Sequence, residues 1–434
     1  ELTETAVDRI LDAGSDFGEQ TQDDPDTIVA DVSSPNICKP MHVGHLRNNV
    51  LSDALTRILS SQGHEVIRDN HLGDWGTQFG NLMYWYTEHG DREELEENPI
   101  EHLLDLYQGF GQREAELEEQ GRDEELEELR DKGREWFARV EEKEEEAYDL
   151  WELFREVSIE RFKETYDLLG MEFDKWHGES WYALNGWNDR VVELAREKDA
   201  VIETDDGLVF IPIYPEDIEG VEDPETANVD ASLDRAHEAL AADEDDEDAP
   251  EVAQLVLLKS DGATTYGTRD LATVLYRDEE LDADRSIYVV ASEQDEYFQQ
   301  MFAGARKLGL DDIEFKHVSY GLISLPEGSM STRRDRVVRA RTVIEEAIDR
   351  AEDIVAKKNP DLDHAERQEI AKKVGLATVK FENICVSREK DVTFDLEEAV
   401  SFEGDTGPYV QYSDTRARSI LDKVDAFPEI GRAS

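Results

Sequence analysis

SSPNICKPMHVGH, at positions 33–45, is the stretch on which the reading of this chain turns. His42, Val43, Gly44 and His45 read as a turn that opens a helix. The helix runs from Arg47 to Gln62, with Leu46, Val50, Leu51, Ala54, Leu55, Ile58 and Leu59 near a 3.6-residue period. Gly63 suits the position just past a helix end, and 65–68 has the character of the next strand. Upstream, TIVADV at 27–32 is a first strand. H-x-G-H at a strand-to-helix junction has a physical use. Gly44 lets backbone approach a polyphosphate, a helix N-terminus favours anions, and two imidazoles can donate to phosphate oxygens. By themselves the four residues are equally compatible with a tight turn carrying two incidental histidines.

The 434 residues suffice for two or three domains. No apolar run approaches the length of a spanning helix, so no membrane association is expected. With Cys38 and Cys385 as the only cysteines, a disulfide framework and a four-thiolate zinc site are excluded, and a reducing, cytoplasmic setting is expected. The chain begins at Glu1, which suggests a fragment of a longer protein. The net charge is −60, from 106 acidic and 46 basic residues. With 39% hydrophobic residues and seven tryptophans, disorder is a poor account of this excess; a fold adapted to molar cytoplasmic salt is a better one. Against that background, residues 333–341 (RRDRVVRAR) hold five arginines, which points to a polyanionic partner or to pairing with the acidic surroundings.

Residues 1–26 read as the end of an upstream helix and a linker, and 27–90 as the first half of a Rossmann-like domain. Residues 91–250 read as a mostly helical, Glu-rich insertion with leucines at helical spacing, a strong amphipathic helix at 147–170, a hairpin at GLVFIPIY and the acidic loop AADEDDEDAPE. In 251–339, VAQLVLLKS and SIYVVAS read as buried strands with a helix between them, the second half of a parallel α/β sheet. Within 340–434, residues 340–357, 365–385 and 401–425 read as helices.

Seven separated segments, in order, resemble arginyl-tRNA synthetase, a class I aminoacyl-tRNA synthetase family: SSPNICKPMHVGHLR (33–47), RDNHLGDWGTQFG (68–80), TTYGTRDLAT (264–273), IYVVASEQDEYFQQ (287–300), HVSYGLI (317–323), MSTRR (330–334) and SFEGDTGPYVQYSDTRARSI (401–420). The resemblance implies an α/β fold: a Rossmann-like parallel sheet split by an insertion, then the start of an α-helical anticodon-binding bundle. It implies a catalytic core with much of both tRNA-binding ends lying outside the chain. The activity implied is ligation of L-arginine to tRNA(Arg) through an arginyl-adenylate, with ATP and Mg2+ as the substrate complex, no tightly bound cofactor, no resident metal and a monomeric enzyme of halophilic archaeal type.

By resemblance, His42, Gly44 and His45 bind ATP together with Met330, Ser331 and Arg333 of the second nucleotide motif. That motif has Ser329 where the family usually has a lysine, which makes Lys39 the candidate catalytic replacement and Arg333 and Arg334 supporting charges. Tyr266 and Asp270, at i and i+4, recognise the substrate side chain, with Glu179 of HGES as a second carboxylate; a planar guanidinium is best met by a carboxylate in bidentate geometry. Read without their flanks, Tyr266 and Asp270 would be a helix cap and a core tyrosine. Ser34, Asn36 and Gln294 hold the α-amino and carboxylate groups, and Asp31 stands where glutamate is commoner. No catalytic role falls to Asp74, Trp75 or Gln78. Two other readings are a tRNA-independent HxGH nucleotidyltransferase and a non-catalytic RNA-binding paralogue.

Overall fold

The computed structural model describes residues 9–10, 12–219, 252–324, 338–393 and 406–421. The acidic loop at 241–251, the MSTRR segment with Met330, Ser331, Arg333 and Arg334, and residues 401–405 lie outside the described residues. The chain divides into two compact units: Glu1–Pro40, Ser52–Lys163 and Glu172–Tyr320 form the first, and Met41–Leu51, Glu164–Met171 and Gly321–Ser434 the second.

The first unit is built on a four-stranded parallel sheet. β1 (Thr27–Asp31) is central, and its Ile28, Val29 and Ala30 are wholly buried, as a strand covered on both faces requires. The connection from β1 runs through α1 (Val43–Ser61) to β2 (Glu65–Asp69), which pairs in parallel with Val29 opposite Ile67. Gly63 ends this crossover with φ of 91°, a conformation open to glycine at little cost. On the other side of β1 lies β6 (Arg285–Tyr288), then β7 (Glu314–His317), giving the order β2-β1-β6-β7. The chain winds outward in one direction from β1 and in the other from β6. The carboxyl ends of those two strands are therefore the switch point at which open α/β sheets take ligands.

Between β2 and β6 stand α2 (Thr77–His89), α3 (Arg92–Glu97), α4 (Pro99–Glu119), α5 (Asp123–Glu141), α6 (Glu145–Leu169), α7 (Glu179–Leu184) and α8 (Trp187–Glu197). The Glu-rich segment is folded: Leu95, Leu103, Leu117, Leu126 and Leu129 are all buried, so its carboxylates occupy the other faces of the helices. α2 and α5 meet at Gly80 and Gly133, where a Cβ on Gly80 would stand 2.1 Å from the Gly133 carbonyl oxygen.

One expectation is corrected. VAQLVLLKS does not extend the parallel sheet. As β5 (Ala253–Leu258) it pairs antiparallel with β4 (Val209–Ile213), which pairs with β3 (Ile202–Glu203). Its apolar run arises because both faces of this small sheet are covered. Leu255 and Leu257 join a core with Leu271, Leu275 and Met301, while Val256 packs on Phe210, Ile202 and Tyr214. Continuous burial, not parallel pairing, was the signal in the sequence. β4 is followed by a short helix, α9 (Pro215–Glu219), and β5 turns back into α10 (Tyr266–Glu279), with the Thr265 amide donating to the Leu257 carbonyl at 3.1 Å. α11 (Asp295–Lys307) follows β6.

The second unit carries α12 (Ala340–Lys358), α13 (His364–Ile384) and α14 (Gly407–Leu421). Asp363 and Glu366 form a reciprocal capping box at the start of α13. A short strand falls between the helical segments: β9 (Val392–Thr393) pairs in parallel with β8 (Ile323–Ser324). Two residues are too short a stretch for alternation to register in a sequence.

Candidate active site

Ser34, Asn36, Glu179, Tyr266, Asp270 and Gln294, expected to hold the substrate, all lie in the first unit. The turn after β1 is strained, with positive φ at Ser33 (74°), Ser34 (51°) and Cys38 (62°), and such conformations are held only where surroundings over-determine them. Here the determinant is the GDWG segment. The Gly73 amide donates to the Pro35 carbonyl at 3.1 Å, and the Ile37 amide donates to the Gly73 carbonyl at 3.1 Å. The side-chain oxygen of Asn36 occupies the place of a Cβ at Gly73, only 2.1 Å from where that atom would be. Gly73 thus positions Asn36, a role that nothing in the sequence pattern announced. Asp74 is fully buried and organises the other flank: it accepts from the Ser180 amide and hydroxyl and from Arg155, each at 2.8 Å. This ties GDWG to HGES and α6, and leaves Asp74 structural.

Tyr266 and Asp270 lie on the first turns of α10, as their spacing requires. Tyr266 is 61% exposed and meets the ring of Tyr297 edge-on at 4.9 Å. The Tyr297 hydroxyl donates to the Asp270 carboxylate. Tyr297 went unnoticed in the sequence, although it follows Gln294 by three residues on the turn that opens α11. Gln294 itself is exposed at that entry.

Four carboxylates share this region: Asp31, Asp69, Glu179 and Asp270. Two guanidiniums answer them. Arg269 pairs with Glu179 at 2.9 Å, so the second candidate carboxylate is already engaged by a guanidinium of the chain. Arg277, wholly buried, stands 3.6 Å from Asp31 and 3.8 Å from Asp69 and donates to the Ser286 hydroxyl at 2.8 Å. Ser34, expected on the substrate α-amino or carboxylate group, donates its hydroxyl to Asp31. Burial pushes the Asp270 carboxyl above its ordinary range, against the pull of His71 and the Tyr297 hydroxyl. Burial likewise raises Glu179 despite Arg269, and Asp69 despite Arg277. The cluster is short of positive charge.

Lys39, on the same turn as Asn36, lies with its ammonium 4.2 Å from the centre of the Tyr107 ring. Asn36, Lys39, Gln78, Phe79 and Tyr107 are among the residues lining a cavity of about 270 Å³.

The H-x-G-H motif belongs to the second unit. His42 caps α1, and the turn is fastened to the chain just beyond the MSTRR segment: the Val43 amide donates to Val338 at 3.1 Å, and the Ala340 amide to Met41 at 2.9 Å. The backbone also sets both imidazoles. The Gly44 amide donates to His42 Nδ1 at 3.1 Å and the His42 amide to His45 Nδ1 at 3.2 Å. With each Nδ1 accepting, each Nε2 carries the hydrogen. Burial lowers the pKa of His42, and burial with the neighbouring His42 pushes His45 down to about 3. Both are neutral donors at physiological pH. A Cβ on Gly44 would lie 2.8 Å from the His42 ring, so the glycine keeps that ring in place. Of the five clustered arginines, Arg341 is paired with Glu164 and Glu345.

Known proteins share this arrangement of segments. The family described as tRNA synthetases class I (R), catalytic domain, matches residues 6–223 and 242–396. An arginine–tRNA ligase of Halobacterium salinarum is 55% identical over 99% of this chain and 70% of its own length. One from Clostridioides difficile is 38% identical over 98% of this chain and 67% of its own length. Among solved structures, the arginyl-tRNA synthetase of Thermus thermophilus superposes with a TM-score of 0.71 at 24% identity, covering 96% of this chain and 68% of that one. That of Plasmodium falciparum gives 0.70 at 22% identity, covering 94% of this chain and 61% of that one. The two structures share the fold. The chain thus spans roughly 61–70% of the length of these proteins.

Proposed function

The chain belongs to the class I arginyl-tRNA synthetase family, and from that premise we propose that it activates L-arginine with ATP and passes it to tRNA(Arg). The observation that carries the amino-acid assignment is the charge deficit at Asp270. Four carboxylates face two guanidiniums, and Asp270 is held by a tyrosine hydroxyl instead of a cation. A substrate guanidinium supplies the missing charge and presents paired donors to the carboxylate. Tyr266, exposed beside it, offers a ring face to the same planar group. Asn36 and Gln294 carry amides suited to a zwitterion, with Ser34 acting through Asp31.

In the first step a carboxylate oxygen of arginine attacks the α-phosphorus of ATP; the bond to the bridging oxygen between the α- and β-phosphates breaks and pyrophosphate leaves with its electron pair. His42 and His45 donate through Nε2–H to phosphate oxygens whose charge redistributes in that step. Neutral, fixed donors need no reorganisation as it proceeds. In the second step a ribose hydroxyl at the tRNA 3′ end attacks the acyl carbon and AMP departs. Mg2+ would enter with the nucleotide, bound to its phosphates. Lys39 supplies the cation that Ser329 lacks, with Met330, Ser331 and Arg333 completing the nucleotide site. The enzyme acts as a monomer, which light scattering on the purified protein checks.

Pyrophosphate–ATP exchange tests the whole reading. Exchange should require L-arginine, be stimulated by tRNA(Arg), and fail with lysine or citrulline. Exchange without arginine would return the chain to tRNA-independent nucleotidyl transfer. Arginine binding without exchange, with tRNA present, would leave a non-catalytic paralogue.

A further inference from the structure

Arg47 follows the H-x-G-H motif on α1, in the second unit, and is wholly buried. A buried guanidinium needs acceptors around it. Three backbone oxygens serve here. Nη2 donates to the Arg388 carbonyl at 3.1 Å, with the Lys390 and Ser387 carbonyls at 3.4 and 3.5 Å. Ser387, Glu389 and Lys390 are exposed, so this loop meets Arg47 with its backbone and leaves its side chains to solvent. The same Arg388 oxygen accepts from the Gly321 amide at 2.7 Å. One carbonyl, with two lone pairs, thus joins the first turns of α1 to the chain that enters β8. Asp391 extends the junction by accepting from the Leu322 amide at 2.8 Å, and the Val392 amide donates to the Leu322 carbonyl at 2.9 Å as β9 meets β8. The approach is close: a Cβ on Gly321 would lie 2.3 Å from the Lys390 carbonyl carbon. The MSTRR segment follows β8 in sequence, and beyond it Val338 and Ala340 bond to Val43 and Met41. The described chain on either side of that segment therefore returns to one turn, the turn that carries His42 and His45.

We propose that Arg47 is a positioning residue for adenylate formation: its hydrogen bond to the Arg388 carbonyl fixes the chain entering β8 to the helix turn that presents His42 and His45. The inference rests on the nucleotide-site reading above. Fixed donors such as the two imidazoles favour the reaction only when the phosphate they meet is held in a matching place. Arg47 sets that match from the protein side, by making one rigid junction of α1, the 387–390 loop and β8. Arginine suits the task because its planar fork presents several N–H groups to carbonyls at fixed angles. Lysine keeps the charge and can reach a carbonyl, but without the fork, so it preserves part of the link. None of the junction residues Arg47, Arg388 and Gly321 is among those assigned to substrate arginine. Loss of the junction should therefore separate the nucleotide step from amino-acid binding.

Pyrophosphate–ATP exchange with arginine and tRNA(Arg) in molar KCl tests the kinetic consequence. Arg47→Met should lower kcat by about 10- to 100-fold with the arginine Kd unchanged, and Arg47→Lys should recover part of the loss. Amide hydrogen exchange on the 434-residue chain reads the junction itself. The Gly321 and Val392 amides should lose protection in Arg47→Met, while those of α12 and α13 keep theirs. If Arg47→Met does not fold, Gly321→Ala reaches the junction from the other side. Its methyl meets the backbone of Lys390 and Asp391, so the same selective fall in kcat is expected. Combined with Arg47→Lys, its effect should be less than additive, because both changes act on one contact. A kcat unchanged by either substitution overturns the proposal. So does an arginine Kd that weakens in step with kcat while protection is lost throughout the chain, the mark of a merely structural role. An unaltered chain that shows no exchange overturns the adenylate reading instead, and the amide pattern still decides whether Arg47 holds the junction.

Discussion

Replacing Asp270 by asparagine keeps the outline of the carboxyl group and removes its charge. Because Asp270 is partly buried and faces no cation of the described chain at ion-pair distance, arginine should lose the equivalent of about 2–5 kcal/mol of binding, seen as a raised KM, while the KM for ATP moves little. Tyr297→Phe removes only the donor to that carboxylate and should raise the same KM by a smaller factor. Steady-state exchange kinetics on both variants check the order. Lys39 makes a different prediction. A cation used mainly as charge redistributes on the triphosphate appears in kcat, so Lys39→Ala should lower kcat for adenylate formation far more than arginine affinity, and Ser329→Lys should restore part of it. A silent Lys39→Ala would move the role to Arg333 or Arg334. The histidines of the H-x-G-H motif make a spectroscopic prediction. The pKa of His45 lies near 3, depressed by burial, so its imidazole should remain the neutral Nε2–H tautomer from pH 8 down to 5, read from nitrogen-15 shifts. An imidazolium signal at pH 6 would contradict it.

At the scale of elements, two close approaches shape the first unit, and each has a glycine at its centre. The helical insertion is anchored where α2 crosses α5, and a methyl group on Gly80 would stand 2.1 Å from a carbonyl oxygen and 2.8 Å from Phe137. Backbone cannot yield as a side-chain tip does, so Gly80→Ala should lower unfolding stability by about 1–3 kcal/mol without touching the arginine site. Urea denaturation compared with arginine affinity separates the two effects. Gly73→Ala acts on the other approach. There the intruding methyl meets the side-chain amide of Asn36, so the expected damage is to arginine affinity more than to stability. The β1-to-α1 turn tolerates positive φ at Ser33 and Ser34 because its amides and carbonyls are zipped to Gly73, which makes the GDWG segment a support for the turn.

Over the whole molecule, the net charge of −60 dominates. Many exposed pairs join neighbouring turns of one helix, such as Arg92 with Glu96 and Lys373 with Glu369, and such pairs contribute little stability individually. They leave most carboxylates facing one another across solvent. Raising ionic strength from 0.1 to 1 M shortens the screening length from about 10 Å to about 3 Å, less than the usual spacing of surface charges. The melting temperature should therefore rise steadily with KCl over that range. A flat or falling profile by calorimetry would show that the acidic surface is not a salt adaptation.

Motifs whose chemistry depends on local spacing could be read from the chain alone. The 3.6-residue period of α1 and the leucine stripes of the insertion report which face is buried, because burial follows the geometry of one element. Tyr266 and Asp270 share a helix face for the same reason, and His42, Gly44 and His45 fall at a helix start because the turn is local. What brings distant segments together is not local. Tyr297 meets Asp270 across 27 residues, Gly73 receives the side chain of Asn36, and Arg269 claims Glu179 across 90. Nor could the partner of β5 be read, since an apolar run reports burial on both faces and is silent on which strand supplies the hydrogen bonds.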